Sequence, residues 1–415
     1  MTEPSHSSSY SSSHYALFGV EPAQVACPAS TADAQEIVRE ASGLGVVPWG
    51  GGCRQKLGYP PERYDLALST VKMDRITEYE PADLTITVQA GITIAELQAV
   101  LAAQGQYLPL EIAKPERQTL GGVIATRAGS MTRLSGGSVR DLLLGVSVVN
   151  SAGEVVKGGG KVVKNVAGYD LPKLYCGSLG TLGLITEASL KVAPLPEASA
   201  TVALPLDGNH NSEDVLNHLL GSNLAPSFLF LLSPLAASQT MPDADDAQYV
   251  LLGFDGDAEA VAWQTETLGA GALDVAASQS VRAALRDFAL NPSPMTAEFH
   301  VLSSQVGAFS RMLEWTARRS GFTAAVASDA ALGLMTAHFA PQSETADWHV
   351  FYADLKDKAD RCGGSFIITQ IPQTLREADV PVWSPLLPDF GLMARLKETL
   401  DPTRMWNPGR FVGRL

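Results

Sequence analysis

Residues 176–194 read CGSLGTLGLITEASLKVAP. Gly177, Gly180 and Gly183 fall within seven residues and feed into 184–192, an alternating, β-branched run that predicts a strand. Glycine lets a backbone approach a ligand where a Cβ would collide, and it tolerates φ > 0. A glycine ladder opening into a strand therefore points to main-chain N–H and C=O groups lying along a bound molecule. Taken alone, the ladder reads more readily as a tight helix–strand connection. Two further glycine clusters upstream decide for the ligand.

The first follows a short strand predicted over 46–49 and runs Gly50-Gly51-Gly52-Cys53-Arg54-Gln55. A triple glycine after a strand, followed by a small residue and a cation, makes a turn suited to cradling phosphate. It is neither a G-x-x-x-x-G-K-[ST] loop nor a G-x-G-x-x-G fingerprint, and neither motif occurs in the chain. The second cluster is 115–126, PERQTLGGVIAT, a glycine pair flanked by threonine hydroxyls. Residues 135–138 add a small-residue turn before Arg140 and Asp141.

Around these clusters the pattern alternates. Thr31 predicts the cap of a helix over 32–42 stopped by Gly43, strands are expected at 66–69 and 84–89, and Thr93 with Glu96 forms a capping box for a helix ending at Gly105. A hairpin is expected from 146–150 to 154–156, and 161–174, KVVKNVAGYDLPKL, leads into the ladder. At Pro194-Leu195-Pro196 the character changes. Strands at 201–204, 228–232, 248–254 and 366–370, with helices at 213–220, 258–268, 306–319 and 346–360, predict a separate α+β domain. A last helix stops at Asp401-Pro402, before Trp406-Asn407-Pro408-Gly409-Arg410.

Composition narrows the function. The chain has 415 residues, 46% hydrophobic, and a formal net charge of −14. That balance speaks against sequence-independent binding to nucleic acid or anionic membrane. Residues 111–191 nevertheless hold ten Lys/Arg against six Asp/Glu, which fits an anionic ligand and equally a solvated basic face. Cysteines 27, 53, 176 and 362 form no CxxC pair, so a local iron–sulfur or zinc motif is not expected, and a reducing compartment is. No apolar run reaches the roughly 18–20 residues of a membrane span. Residues 1–19 read as a disordered Ser-rich tail without signal-peptide features.

The series WGGGCRQ, TLGGVIAT, GGSVRDLLLGV, KNVAGYDLPKLYCGSLGTLGLITE and DPTRMWNPGR resembles the FAD-binding domain of the vanillyl-alcohol oxidase/p-cresol methylhydroxylase superfamily. Within it, the run over 164–183 looks most like glycolate oxidase, especially its FAD-binding E-type subunit. The resemblance is strong over about 20–197 and moderate over the last 25 residues. It implies an α+β fold: a two-subdomain FAD-binding domain (20–197), an α+β cap domain (198–385) and a C-terminal segment (386–415) returning to the first domain. By motif position it implies that Trp49, Gly50, Gly51, Gly52, Cys53 and Arg54 hold the pyrophosphate. Thr119, Gly121, Gly122, Ala125 and Thr126 would line the pyrophosphate and ribityl chain, and Gly177, Thr181, Gly183, Leu184 and Ile185 would lie along the cofactor, with Asn407 near the ring. Relatives that bind FAD covalently use a histidine in or near the first glycine turn, or a cysteine elsewhere. That turn carries Cys53 and no histidine, so a non-covalent FAD is expected.

The resemblance further implies a subunit that helps oxidise a small 2-hydroxy acid, glycolate to glyoxylate, with a larger FAD-binding catalytic subunit and an iron–sulfur subunit as partners. Such a complex would be cytoplasmic or membrane-associated through those partners. Catalytic relatives carry a histidine-rich cap segment, including a G-D-G-N-x-H-like run; here Gly256-Asp257 is as near as the chain comes. No catalytic residue is assigned. His300 and His338 sit in apolar surroundings and read as structural; Tyr169 and Asp170 sit beside the glycine ladder, where a helix cap explains Asp170 as well as catalysis does; Arg127, Arg133 and Lys164 could hold a carboxylate or solvate the basic face; and Asp243, Asp245 and Asp246 resemble a metal cluster but read more readily as a surface loop. A self-sufficient FAD-linked dehydrogenase and a non-catalytic scaffolding subunit remain the alternatives.

Overall fold

The computed structural model describes residues 11–160, 169–206, 211–269, 271–386 and 388–415. It divides into two compact units. The first comprises 1–129, 137–194 and 386–415, and the second 130–136 and 195–385.

The first unit opens with a three-stranded parallel sheet of β1 (Gln24–Ala26), β2 (Val46–Trp49) and β3 (Leu66–Ser69), ordered β1-β3-β2. Helix α1 (Thr31–Glu40) joins β1 to β2, as a parallel crossover requires. Its cap is Ser30, whose hydroxyl accepts from Asp33 N–H at 3.1 Å, one residue before the expected Thr31. The second sheet is antiparallel, ordered β4-β5-β9-β7-β8, from β4 (Ile76–Glu80), β5 (Thr85–Gln89), β7 (Leu143–Val149), β8 (Val155–Gly159) and β9 (Leu184–Lys191). Its centre, β9, is the strand into which the glycine ladder opens. The short pair β6 (Gln106–Tyr107) and β10 (Ala193–Pro194) closes one side.

Helix α2 (Ile94–Ala102) begins at the Thr93–Glu96 capping box, with both reciprocal bonds present. Ile94, Leu97 and Leu101 turn into one core with Ile86, Val88, Val123, Ile124 and Leu190. That core fixes the second sheet beneath helix α3 (Leu120–Thr126). The segment TLGGVIAT, expected as a glycine turn, is this helix; Thr119 takes the N-cap position, and Leu120, Val123 and Ile124 supply the apolar face that makes it helical.

Residues 12–19, expected in a disordered tail, are structured instead. Ser12–Tyr15 forms a 3-10 turn, and Tyr15 and Leu17 are buried with Val47, Trp49, Tyr64 and Ala67. Two large apolar side chains amid serines were enough to order this segment. Residues 1–10 lie outside the described residues.

The second unit is built on one antiparallel eight-stranded sheet. Its strands are β11 (Ala198–Leu206), β12 (Phe228–Leu232), β13 (Gln248–Gly256), β14 (Met295–His300), β15 (Phe322–Asp329), β16 (Leu334–Pro341), β17 (Ser365–Gln370) and β18 (Trp383–Ser384), ordered β11-β13-β12-β15-β16-β14-β17-β18. Helices Ser212–Leu220, Ala258–Leu268, Val275–Asp287, Val306–Arg319 and Trp348–Arg361 accompany it. Among the described residues, no helix is long and apolar enough to cross a membrane.

Candidate cofactor-binding site

The first unit contains a cleft that opens to solvent. Three stretches distant in sequence form its walls: the loop after β2, helix α3 with its cap, and the glycine ladder; Asn407 and Arg410 close the end. Of the residues singled out from sequence, Trp49, Gly50, Gly51, Gly52, Cys53, Arg54, Thr119, Gly121, Gly122, Ala125, Thr126, Gly183, Leu184, Ile185 and Asn407 line it. Gly177 and Thr181 do not. Gly177 N–H is spent on Ile124 C=O (2.9 Å). Thr181 is buried, its hydroxyl donates to Ser178 C=O (2.7 Å), and its own carbonyl accepts from Lys397 Nζ (2.7 Å). Both residues hold the ladder in place from behind.

The three glycine clusters do different work. Among the described residues, the backbone N–H groups of Gly50, Gly51, Gly52 and Cys53 donate to no protein acceptor. Four successive unused donors beside a cleft form an anion-binding concavity. A Cβ on Gly51 would fall 1.5 Å from the Arg117 carbonyl oxygen, so the loop touches the 117–119 segment backbone to backbone. The second cluster offers no such donors. Leu120 N–H bonds to Ile92 C=O (2.9 Å), Gly121 N–H to Ala90 C=O (2.7 Å) and Gly122 N–H to the Thr119 hydroxyl (3.4 Å). It contributes a smooth helix surface of small residues. The third packs on that helix, with Leu179 N–H on Ala125 C=O (2.8 Å), and then turns into β9. Gly183 at φ +149° meets β7 so closely that a Cβ would lie 2.6 Å from Val148.

Trp49 is braced from outside the cleft. Its indole N–H donates to the Tyr64 hydroxyl (2.8 Å), which donates to Tyr15 C=O (2.6 Å), while the Tyr15 ring stands edge-on to the indole at 5.1 Å. At the other end, Asn407 adopts φ +45°, donates its amide to Leu179 C=O and accepts from Arg410 (3.2 Å). Arg410 and Gln55 were not singled out from sequence, yet both line the cleft. Arg410 is 4% exposed, and burial pushes its guanidinium down to about 10. The signal was present as an arginine closing the Asn-Pro-Gly-Arg run, but its partners are carbonyls some 350 positions upstream.

Among the described residues, the cleft carries cations and no acids: Arg54 and Arg410 are its charged lining residues. Cys53 is the sole thiol there, and burial pushes it up despite nearby Arg117, so it stays protonated and un-nucleophilic at neutral pH. Among the described residues, no histidine lines the cleft. His338 is buried, with one ring nitrogen on the Thr296 hydroxyl (2.9 Å) and the other on Phe288 C=O (2.8 Å), and burial lowers its pKa. It is a satisfied structural histidine. His300 is exposed at the end of β14. Asp170 caps the helix Leu171–Tyr175 and pairs with Lys173 at 2.6 Å, and Tyr169 is 91% exposed. Arg127 is the left-handed residue ending α3, and Arg133 belongs to the second unit. Asp245 accepts from the Tyr249 hydroxyl in a turn. Lys164, His6 and His210 lie outside the described residues. No group of three or more His, Cys, Asp or Glu positioned for a metal occurs among the described residues.

Glycine-loop amides, a small-residue helix face and a buried arginine around one cleft suit an elongated anionic ligand such as a dinucleotide. Known proteins agree. Residues 22–159 match a family model described as an FAD binding domain. The chain is 27% identical over 398 residues to glycolate oxidase subunit GlcD of Bacillus subtilis, an alignment spanning 89% of this chain and 84% of that protein. It is 43% identical over 128 residues to glycolate oxidase subunit GlcE of Escherichia coli, spanning 31% of this chain and only 37% of that protein. Its fold matches p-cresol methylhydroxylase with a TM-score of 0.71 at 15% identity, over 93% of this chain and 88% of that one. Residues 22–159 thus carry an FAD binding domain, and the chain has the fold of p-cresol methylhydroxylase.

Proposed function

We propose that this chain is an FAD-binding subunit of a glycolate oxidase-like enzyme that oxidises a small 2-hydroxy acid, glycolate to glyoxylate. The observation that carries this reading is the conjunction of an anion-binding cleft, with no acid or histidine among its described lining residues, with similarity to two glycolate oxidase subunits. Bound flavin supplies the hydride acceptor for oxidation at the hydroxyl carbon. The chain's own residues bind and orient. The unused amides of Gly50–Cys53 would hold the diphosphate, the 119–126 helix face and residues 183–185 would border the elongated cofactor, and Asn407 fixes the ladder at Leu179. Loop 50–55 holds no histidine, so the flavin is bound without a covalent bond.

In this reading the proton-accepting base belongs to a partner subunit, which the lack of an acid or histidine among the described lining residues supports. Electrons leave the same way in this reading, which the lack of a CxxC pair supports. The purified chain and the chain with its co-expressed partners are mixed anaerobically with glycolate while the visible flavin band is followed. Bleaching only with partners supports the subunit reading; acid precipitation should leave the flavin in the supernatant. A second reading, a self-sufficient dehydrogenase, is favoured by the alignment to GlcD along 89% of the chain. Bleaching of the isolated chain by glycolate or D-lactate would establish that one instead.

A further inference from the structure

Two buried cations lie on the C-terminal stretch, and they are neutralised differently. Lys397, 4% exposed, has a carboxylate: its Nζ bonds Asp401 at 2.6 Å and also Thr181 C=O and Trp406 C=O. Arg410, equally buried, has none among the described residues. Its five N–H donors are spent on five neutral oxygens: Tyr59 C=O (3.4 Å), Gln55 Oε1 (2.8 Å), Asn407 Oδ1 (3.2 Å), Gln55 C=O (2.5 Å) and Leu57 C=O (3.0 Å). An isolated buried charge costs several kcal/mol unless a counter-charge arrives. A purely structural staple at this place has a cheaper solution, which the same stretch uses at Lys397.

Resting on the FAD reading above, we infer that Arg410 is the positioning residue of the cofactor cleft, whose counter-charge is the diphosphate of the bound dinucleotide. Two features support it. Arg410 lines the cleft together with the unused amides of Gly50–Cys53. It also ties the mouth together: Gln55, gripped at both its carbonyl and its side chain, donates to Pro48 C=O (2.8 Å), and Asn407 reaches Leu179. One guanidinium thus sets the strand end before the glycine loop, the loop's far side and the ladder, while its charge biases the pocket toward an anion.

The test is calorimetric titration of the full apo-chain with FAD, ADP and riboflavin, comparing wild type, Arg410→Met and Arg410→Lys at two salt concentrations. FAD and ADP carry the diphosphate; riboflavin does not. We expect Arg410→Met to lose at least about tenfold in FAD and ADP affinity, with a shallower salt dependence, and riboflavin binding to stay within about threefold. Arg410→Lys, which keeps the charge without the fork, should recover part of the loss. Equal losses for all three ligands, an unchanged salt dependence, no loss at all, or failure of both variants to fold by circular dichroism would each mark Arg410 as structural and overturn the inference. Wild-type chain that binds neither FAD nor ADP defeats the FAD reading itself, whatever the variants do.

Discussion

Replacing Gly51 with alanine tests the cradle directly. The new methyl carbon would stand 1.5 Å from Arg117 C=O, whereas van der Waals contact needs more than 3 Å. The obstacle is backbone, and it is held: Arg117 N–H bonds Lys114 C=O (2.9 Å), Gln118 C=O accepts from Ile94 N–H (3.0 Å), and the Gln118 side chain is tied to Ala113 C=O. The glycine loop must therefore move by more than an ångström, taking its four unused amides with it. A charge-assisted bond contributes about 1.5–3 kcal/mol, so loss of two amide contacts weakens FAD by roughly 3–6 kcal/mol, about two to four decades in affinity. Gly129, with open space around its Cα and ordinary φ, is the matched control, and its alanine variant should bind as wild type. Flavin titration of the apo-proteins, with circular dichroism to confirm folding, gives the answer. A folded Gly51→Ala chain binding FAD within about threefold of wild type would refute the cradle.

Lys397→Met should cost about 3–5 kcal/mol in a urea melt, because it strands Asp401 (0% exposed) without its cation. Tyr15→Ala removes a fully buried ring and the brace behind Trp49; we expect about 3–4 kcal/mol of destabilisation and weakened FAD binding, read by thermal melting and flavin titration. Burial pushes the Asp329 carboxyl up to about 6, against the opposing pull of the Leu332 and Ala331 N–H groups and Arg133. A folded pKa above the unfolded value of about 3.9 means the native state holds the proton more tightly. Asp329 therefore penalises stability above pH 6, and the penalty disappears as pH falls toward 4. Asp329→Asn keeps the acceptor for Leu332 N–H (3.1 Å), so it should stabilise the protein by about 2–3 kcal/mol at pH 7 and not at pH 4, measured by denaturant unfolding.

Local signals carried far in this chain. The alternation over 184–192, the capping box at Thr93–Glu96 and the strand–glycine junction at Trp49–Gly50 each act within a few residues, so composition and period were sufficient to read them. The hairpin β15–β16 and strand β14 escaped because alanine-rich segments such as FTAAVASD match helix propensity, and only pairing with neighbours makes them strands.

Three glycine-rich stretches, their places beside regular elements and the fitness of an anion as guest were all legible from residue order. Their division of labour emerged only on folding. Amides at Gly50–Cys53 stay free, while those at Leu120–Gly122 are consumed by residues 90, 92 and 119, and a glycine does not announce which neighbour its N–H will meet. Likewise, Arg410 is one arginine among others until folding buries it against Gln55 and Asn407 without an acid, because desolvation and pairing are properties of the assembled surroundings, not of the residue.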